Sequence, residues 1–261
     1  MVLLDGKKTA QDIQLEIAEK VKGLKAEGKK TPHLAAILVG GDGASLTYVN
    51  AKVKACEKVG FDSTLVHMDT TTSEEDLLNK IDELNNDDSI DGFIVQLPLP
   101  KHIDETKVTL AVSPSKDVDG FHPENIGKMC LNLPTFLPAT PNGVLEMLKR
   151  YNIETSGKHC VVIGRSHIVG SPMSILMARN GNPGNATVTL THSRTANLKE
   201  ICATADILIA AVGKPLFVTA DMVKPGAVVV DVGIHRVEDA SKKSGFKLLG
   251  DVDFANVAEK C

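Results

Sequence analysis

Tryptophan is absent from this chain, the one residue type missing from an otherwise complete alphabet. Hydrophobic residues make up 43% and charged residues 24%, a globular balance that excludes a disordered or fibrous protein. Net charge is also scarce: 29 basic against 33 acidic residues leave −4, spread along the chain. That excludes the footprint of a nucleic-acid binder or a polybasic membrane binder and points to a small-molecule partner. The five cysteines, Cys56, Cys130, Cys160, Cys202 and Cys261, are odd in number, widely spaced and without a CxxC pair. A disulfide framework and a structural zinc site are therefore excluded, and a reducing compartment fits. No apolar run approaches the roughly 18 residues of a membrane span, and Asp5, Lys7 and Lys8 interrupt the N-terminus before a signal-peptide core can form. The expected location is the cytoplasm, with no membrane and no nucleic acid as partner.

What is present is a long alternation of helix and strand signals. At 261 residues the chain has room for two domains. Ala10, Ile13, Ile17, Val21 and Leu24 recur at helical spacing between Lys7 and Glu27. Apolar runs at 34–41, 61–68 and 92–100 read as strands, with helices predicted over about 45–59 and from the Thr/Ser cluster at 70–73 onward. The third run enters a proline-rich loop. This β/α alternation predicts a parallel sheet. The stretch 117–141, carrying Pro123, Pro134, Pro138 and Pro141, reads as a loop and is followed by a helix over roughly 142–151. Beyond it, apolar strands at 159–164, 186–190, 205–213 and 226–233 predict a doubly wound nucleotide-binding sheet. The expected fold is α/β: two α/β domains flanking a cleft, 1–140 and 141–261, the second a Rossmann-type doubly wound parallel sheet.

Three groups of residues carry chemistry. In GRSHIVGSP (164–172), Gly164 and Gly170 bracket a turn between a strand and an apolar helix, Met173 to Ala178. A helix N-terminus approached closely by backbone is an anion site, although the spacing is not GxGxxG and a structural turn is the alternative. The next strand ends in THSRT (191–195) and has no acid where NAD-specific sheets commonly carry one. Arg194, with Arg165 as a second cation, suits a ribose 2′-phosphate and so NADP; a solvated surface arginine is the alternative. On the helix after Gly43, Ser45, Tyr48 and Lys52 stand at i, i+3 and i+7, on one face. Spacing alone also allows Tyr48 as a core aromatic and Lys52 as an ordinary surface lysine. Gln96 closes a strand at the carboxyl end, where open α/β sheets bind ligands. Asp117 and Asp119 precede Gly120 in a loop, as acceptors for ring N–H groups or as Asx turns. His122 lacks companion ligands at metal spacing and Cys130 an adjacent base, so no metal is assigned.

In order, YVNAKVKACEKVGF (48–61), DGFIVQLPLP (91–100), KDVDGFHP (116–123), PATPNG (138–143), VVIGRSHIVGSP (161–172) and DVGIHR (231–236) resemble the bifunctional methylenetetrahydrofolate dehydrogenase/cyclohydrolases. The resemblance covers essentially the whole chain. It implies a folate-binding catalytic first domain and an NADP-binding second domain, and a homodimer formed through the latter. The activities implied are oxidation of 5,10-methylenetetrahydrofolate with NADP and hydrolysis of the methenyl product to 10-formyltetrahydrofolate. Lys52 matches the family's catalytic lysine, Tyr48 the tyrosine beside it near the folate, Gln96 the glutamine that bonds that lysine, and Asp119 the acid that holds the pterin. Ser45 and Leu97, Pro98, Leu99 and Pro100 match positions lining the folate site. Thr140, Gly164, Arg165, Ser166, Ile168, Val169, His192, Ser193, Arg194, Val212, Gly213 and Ile234 match positions around NADP. Members normally continue past the position of Cys261 into a glycine-rich PGGVGP-type segment and a final helix that returns to the first domain; the sequence given stops before it.

Overall fold

The computed structural model describes residues 1–41, 43–242 and 245–261. It divides into two units, one of residues 5–129 and 134–137, the other of residues 1–4, 130–133 and 138–261. Among the described residues no helix is long and apolar enough to cross a membrane.

In the first unit, helix α1 (Gly6–Ala26) is followed by β1 (His33–Val39), α2 (Gly43–Val59), β2 (Asp62–Met68), α3 (Glu74–Asn86) and β3 (Gly92–Val95). The strands form a parallel sheet in the order β2-β1-β3, so β1 is central: Ala36 pairs with Leu65 on one side and Ile94 on the other. Its unbroken apolar run follows from burial on both faces. Ala35, Ile37 and Val39 join Leu77, Ile81 and Leu84 of α3, whereas Ala36 and Leu38 pack with Val49 of α2. The acid-rich start of α3 is capped by Ser73, whose hydroxyl accepts the Asp76 N–H (3.1 Å), with Glu74, Glu75 and Asp76 at the positive end of the helix.

Two helices of this part of the chain escape the sequence reading. α4 (Glu105–Ala111) is seven residues long and buries only Val108, too little for a period to show. α5 (Pro123–Cys130) lies inside the stretch read as a loop. The prolines misled because Pro123 opens this helix, where a missing N–H costs nothing. Only Asn125 and Met129, four apart, face inward.

The second unit contains α6 (Ala139–Arg150), β4 (His159–Ile163), α7 (Gly170–Ala178), β5 (Thr187–Thr191), α8 (Leu198–Cys202), β6 (Ile207–Ala210) and, after a 3-10 turn at Ala220–Met222, β7 (Val228–Asp231). These four strands are parallel in the order β5-β4-β6-β7, the expected Rossmann-type arrangement. Val161 and Ile163 of β4 pack into a cluster with Cys202, Leu208 and Val218, while Cys160 and Val162, pointing the other way, are also fully buried. An antiparallel hairpin, β8 (His235–Glu238) and β9 (Phe246–Leu249), follows, and α9 (Phe254–Val257) comes last. The hairpin was not anticipated, since its side chains are at most half-buried and form no apolar run.

Candidate functional site

In the first unit the chain leaves β1 toward β2 on one side and crosses to β3 on the other, so the carboxyl ends of β1 and β3 flank the point where the winding reverses. Gln96 sits there. Its backbone N–H donates to the Ile37 carbonyl (2.9 Å) and its Nε2 donates to the Leu97 carbonyl (2.7 Å). With the amide nitrogen committed, Oε1 is left to accept from Nζ of Lys52 at 3.1 Å. Lys52 reaches this point from α2, and both side chains are half-buried.

The two acids of the KDVDG loop divide their roles. The loop is pressed against the start of β3, where a Cβ on Gly92 would lie 2.3 Å from Val118 Cγ1. Asp117 is buried and occupied by its own loop, accepting from the backbone N–H groups of Gly120 (3.1 Å) and His122 (2.7 Å) and from Asn125 Nδ2 (2.9 Å). Asp119 accepts no hydrogen bond from any described residue. Burial pushes its carboxyl above the ordinary carboxylate range and the Asp117 carboxylate adds to this, while the Lys52 ammonium opposes it. The structure thus groups Lys52, Gln96 and Asp119.

The remaining first-unit residues differ in exposure. Ser45 is buried, while Tyr48 is 48% exposed, so the shared helix face presents the tyrosine and the lysine more than the serine. Leu97 and Pro100 are half-buried and Pro98 exposed, next to a cis Leu97–Pro98 peptide. Leu99 instead belongs to the hydrophobic core, and its N–H is held by the Glu105 carboxylate (3.0 Å), a positioning contact that spacing did not reveal.

The raised Asp119 carboxyl has a measurable consequence. Its folded-state pKa lies above the unfolded value, so the folded state gains stability as pH falls through that pKa, and the ionised form is a cost at neutrality. Asp119→Asn should therefore melt at a higher temperature than the parent at pH 7. The gap should narrow as pH falls and close below the ordinary aspartate pKa of about 3.9. Melting curves over a pH series check this, and a gap independent of pH would contradict it.

In the second unit, three backbone segments meet without side chains between them. Gly164, after β4, has φ +108°, and a Cβ there would lie 2.1 Å from the Ala211 carbonyl oxygen after β6. A Cβ on Gly170, at the start of α7, would lie 1.9 Å from the Gly164 carbonyl oxygen. Ser166 Oγ accepts from the N–H groups of Val169 (3.2 Å) and Gly170 (3.4 Å), which closes the turn and leaves Arg165, Ser166 and Ile168 exposed at its tip, with Val169 half-buried. The THSRT segment is likewise self-bonded: His192 N–H donates to Thr195 Oγ1 (2.9 Å), and Arg194 N–H to His192 Nδ1 (3.1 Å). Ser193 and Arg194 project from it. Neither Arg165 nor Arg194 has an ion-pair partner among the described residues. Two such cations beside a glycine-lined turn at a winding reversal fit the phosphates of a dinucleotide. Val212, Gly213 and Ile234 lie just past the carboxyl ends of β6 and β7, and Thr140 is exposed on the first turn of α6. Asp231 and Asp251, which spacing did not single out, sit among these loops; Asp231 opens the DVGIHR block, and Asp251 follows a glycine in GDVD.

Residues 4–119 match the family model described as the tetrahydrofolate dehydrogenase/cyclohydrolase catalytic domain, and residues 138–261 match that family's NAD(P)-binding domain. The bifunctional protein FolD of Cytophaga hutchinsonii is 70% identical over 260 residues, covering 100% of this chain and 90% of its own length; that of Flavobacterium psychrophilum is 65% identical, covering 100% and 88%. Among solved structures, the Campylobacter jejuni bifunctional FolD superposes with a TM-score of 0.92 at 46% identity, covering 100% of this chain and 89% of that one. The Trypanosoma brucei enzyme, complexed with NADP cofactor and inhibitor, gives 0.91 at 36% identity, covering 98% and 86%. A chain matched along nearly its whole length by both domain models and by relatives of this identity belongs to the tetrahydrofolate dehydrogenase/cyclohydrolase family.

Proposed function

We infer that this chain oxidises 5,10-methylenetetrahydrofolate to the 5,10-methenyl compound with NADP and hydrolyses that product to 10-formyltetrahydrofolate, in one-carbon metabolism. The observation that carries the site assignment is the grouping of Lys52 with Gln96 at 3.1 Å beside an Asp119 that accepts no hydrogen bond from the described residues. Asp119 is the acceptor for the pterin N–H groups, and Tyr48 supplies an exposed aromatic face near the folate. Ser45, Leu97, Pro98 and Pro100 complete the substrate surface, and Leu99 supports it from the core.

When bound, NADP supplies the hydride acceptor for the first step. The residues that would hold it are Gly164, Arg165, Ser166, Ile168 and Val169 of the turn, His192, Ser193 and Arg194 of the THSRT segment, and Thr140, Val212, Gly213 and Ile234. Hydride transfer asks the protein chiefly for orientation. Hydrolysis asks for proton handling: water attacks the methenyl carbon and loses a proton, then the carbon–nitrogen bond breaks as the nitrogen gains one and the carbinol hydroxyl releases its own to solvent, leaving the formyl group. Lys52 as an amine takes the first proton and as an ammonium returns it, while Gln96 holds Nζ in place. The family's habit of pairing through the nucleotide domain supports a homodimer. Five free cysteines support a reducing, cytoplasmic setting.

Methenyltetrahydrofolate absorbance tests both steps, appearing from the methylene compound with NADP and disappearing without it. With the same assay, initial rates should favour NADP over NAD by about tenfold or more, the scale of one charge-assisted contact to the 2′-phosphate. Equal use of both cofactors would remove Arg194 and Arg165 from this role.

A further inference from the structure

Asp251 is fully buried, yet among the described residues no lysine or arginine neutralises it. Its Oδ2 accepts the backbone N–H groups of Val212 (2.6 Å) and Gly213 (3.0 Å). Its Oδ1 accepts the N–H of Lys214 (2.9 Å) and faces His235 Nε2 at 2.7 Å. An ionised carboxylate only accepts, so His235 is the donor there. Asp231, the last residue of β7, reinforces the arrangement by accepting from Gly233 N–H and Asp251 N–H (2.9 Å each) and from Val252 N–H (3.0 Å). Space for the two carboxylates comes from absent side chains: a Cβ on Gly233 would lie 2.4 Å from Asp251 Cγ, and one on Gly250 would lie 1.8 Å from Asp231 Oδ2.

One carboxylate therefore ties together the loop after β6, the start of β8 and the segment that returns from β9. Core packing holds these loops only in part, since Val212 packs against the core while Gly213, Lys214 and Ile234 are exposed. A buried charge deprived of a donor is costly, so the four donors are drawn onto one point and their backbone is fixed with them. We propose that Asp251, clamped by His235, is a positioning residue for NADP: it sets the backbone of Val212 and Gly213 and, through His235, the neighbouring Ile234, without touching the cofactor. This rests on the assignment of those three residues to the NADP site. The brace acts on cofactor affinity and leaves the hydrolytic step, which needs no NADP, alone.

The experiment compares His235→Leu with His235→Gln, whose amide can still donate to Asp251. Direct calorimetric titration with NADP gives affinity; KM for NADP, kcat at saturating NADP and NADP-independent hydrolysis of methenyltetrahydrofolate are measured alongside. The leucine variant should bind NADP about tenfold more weakly, with KM raised to match, the scale of one lost charge-assisted hydrogen bond. Its kcat and hydrolysis rate should stay within about twofold of the parent, and the glutamine variant should recover most of the affinity. Should the leucine variant fail to fold, His235→Ser, too short to reach Asp251, takes its place in the same comparison. Parent-like NADP affinity in the leucine variant would overturn the brace, as would a glutamine variant no better than leucine, or a loss of hydrolysis in step with NADP binding. A parent protein that takes up no NADP would instead overturn the cofactor assignment on which the brace stands.

Discussion

Lys52→Met should lower cyclohydrolase activity by about a hundred- to ten-thousandfold, the range over which a positioned proton-transfer group contributes. Methionine matches the length of the lysine stem and keeps its apolar contacts on a half-buried helix position, so the fold should survive. What is lost is the group that bonds Gln96 Oε1 at 3.1 Å and whose charge acts on Asp119. Dehydrogenase activity should fall much less, because its electron acceptor is the cofactor and Lys52 contributes there through orientation and charge. The two rates separate cleanly: one follows formation of methenyltetrahydrofolate with NADP, the other its decay without NADP. A folded variant that hydrolyses the methenyl compound at close to the parental rate would show that Lys52 does not carry the proton.

Gly170→Ala should damage the second unit strongly. The added Cβ would stand 1.9 Å from the Gly164 carbonyl oxygen, 2.5 Å from its carbon and 2.9 Å from Arg165 N, all backbone atoms with no rotamer to yield. Relief requires α7 to move away from the turn after β4, a repacking that costs about 1–3 kcal/mol in a filled interior. The same movement displaces Arg165 and Ser166, so NADP affinity should fall together with the melting temperature. Gly143→Ala is the matched control. Gly143 is exposed within α6, and a Cβ there meets nothing within 4 Å. Replacing a helical glycine by alanine in open space should stabilise by about 0.5–1 kcal/mol. Thermal melts and NADP titrations of the two variants decide the matter, and similar effects of the same sign would mean that the close packing around Gly170 does not govern this turn.

Much of the architecture could be read from the chain alone because it is encoded by short-range periodicity. The apolar run at β1 is continuous because both faces of that strand are buried, and the 3.6-residue spacing of α1 marks a face on which Val21 is buried and Ile13, Ile17 and Leu24 half-buried, although Ala10 at its start is exposed. Where burial is slight, the signal fades. α4, with one buried residue, and the β8–β9 hairpin, with none, left no pattern to find. α5 was hidden by a proline whose meaning depends on whether it stands at the start or in the middle of a helix.

The site divides along the same line. Residue order by itself determined the fold class, the family resemblance and the candidate residues, since each is a property of which residue follows which. Tertiary structure alone decided that Asp117 is consumed by its own loop while the neighbouring Asp119 is desolvated and accepts no hydrogen bond from the described residues. It alone turned Gln96 so that its oxygen meets Lys52, 44 residues away, and sent Leu99 into the core. It also gathered the N–H groups of 212–214 and the imidazole of His235 onto Asp251, nearly forty residues on from Val212. Burial and hydrogen-bond partnership depend on distance in space, and for residues far apart along the chain only the folded backbone sets that distance.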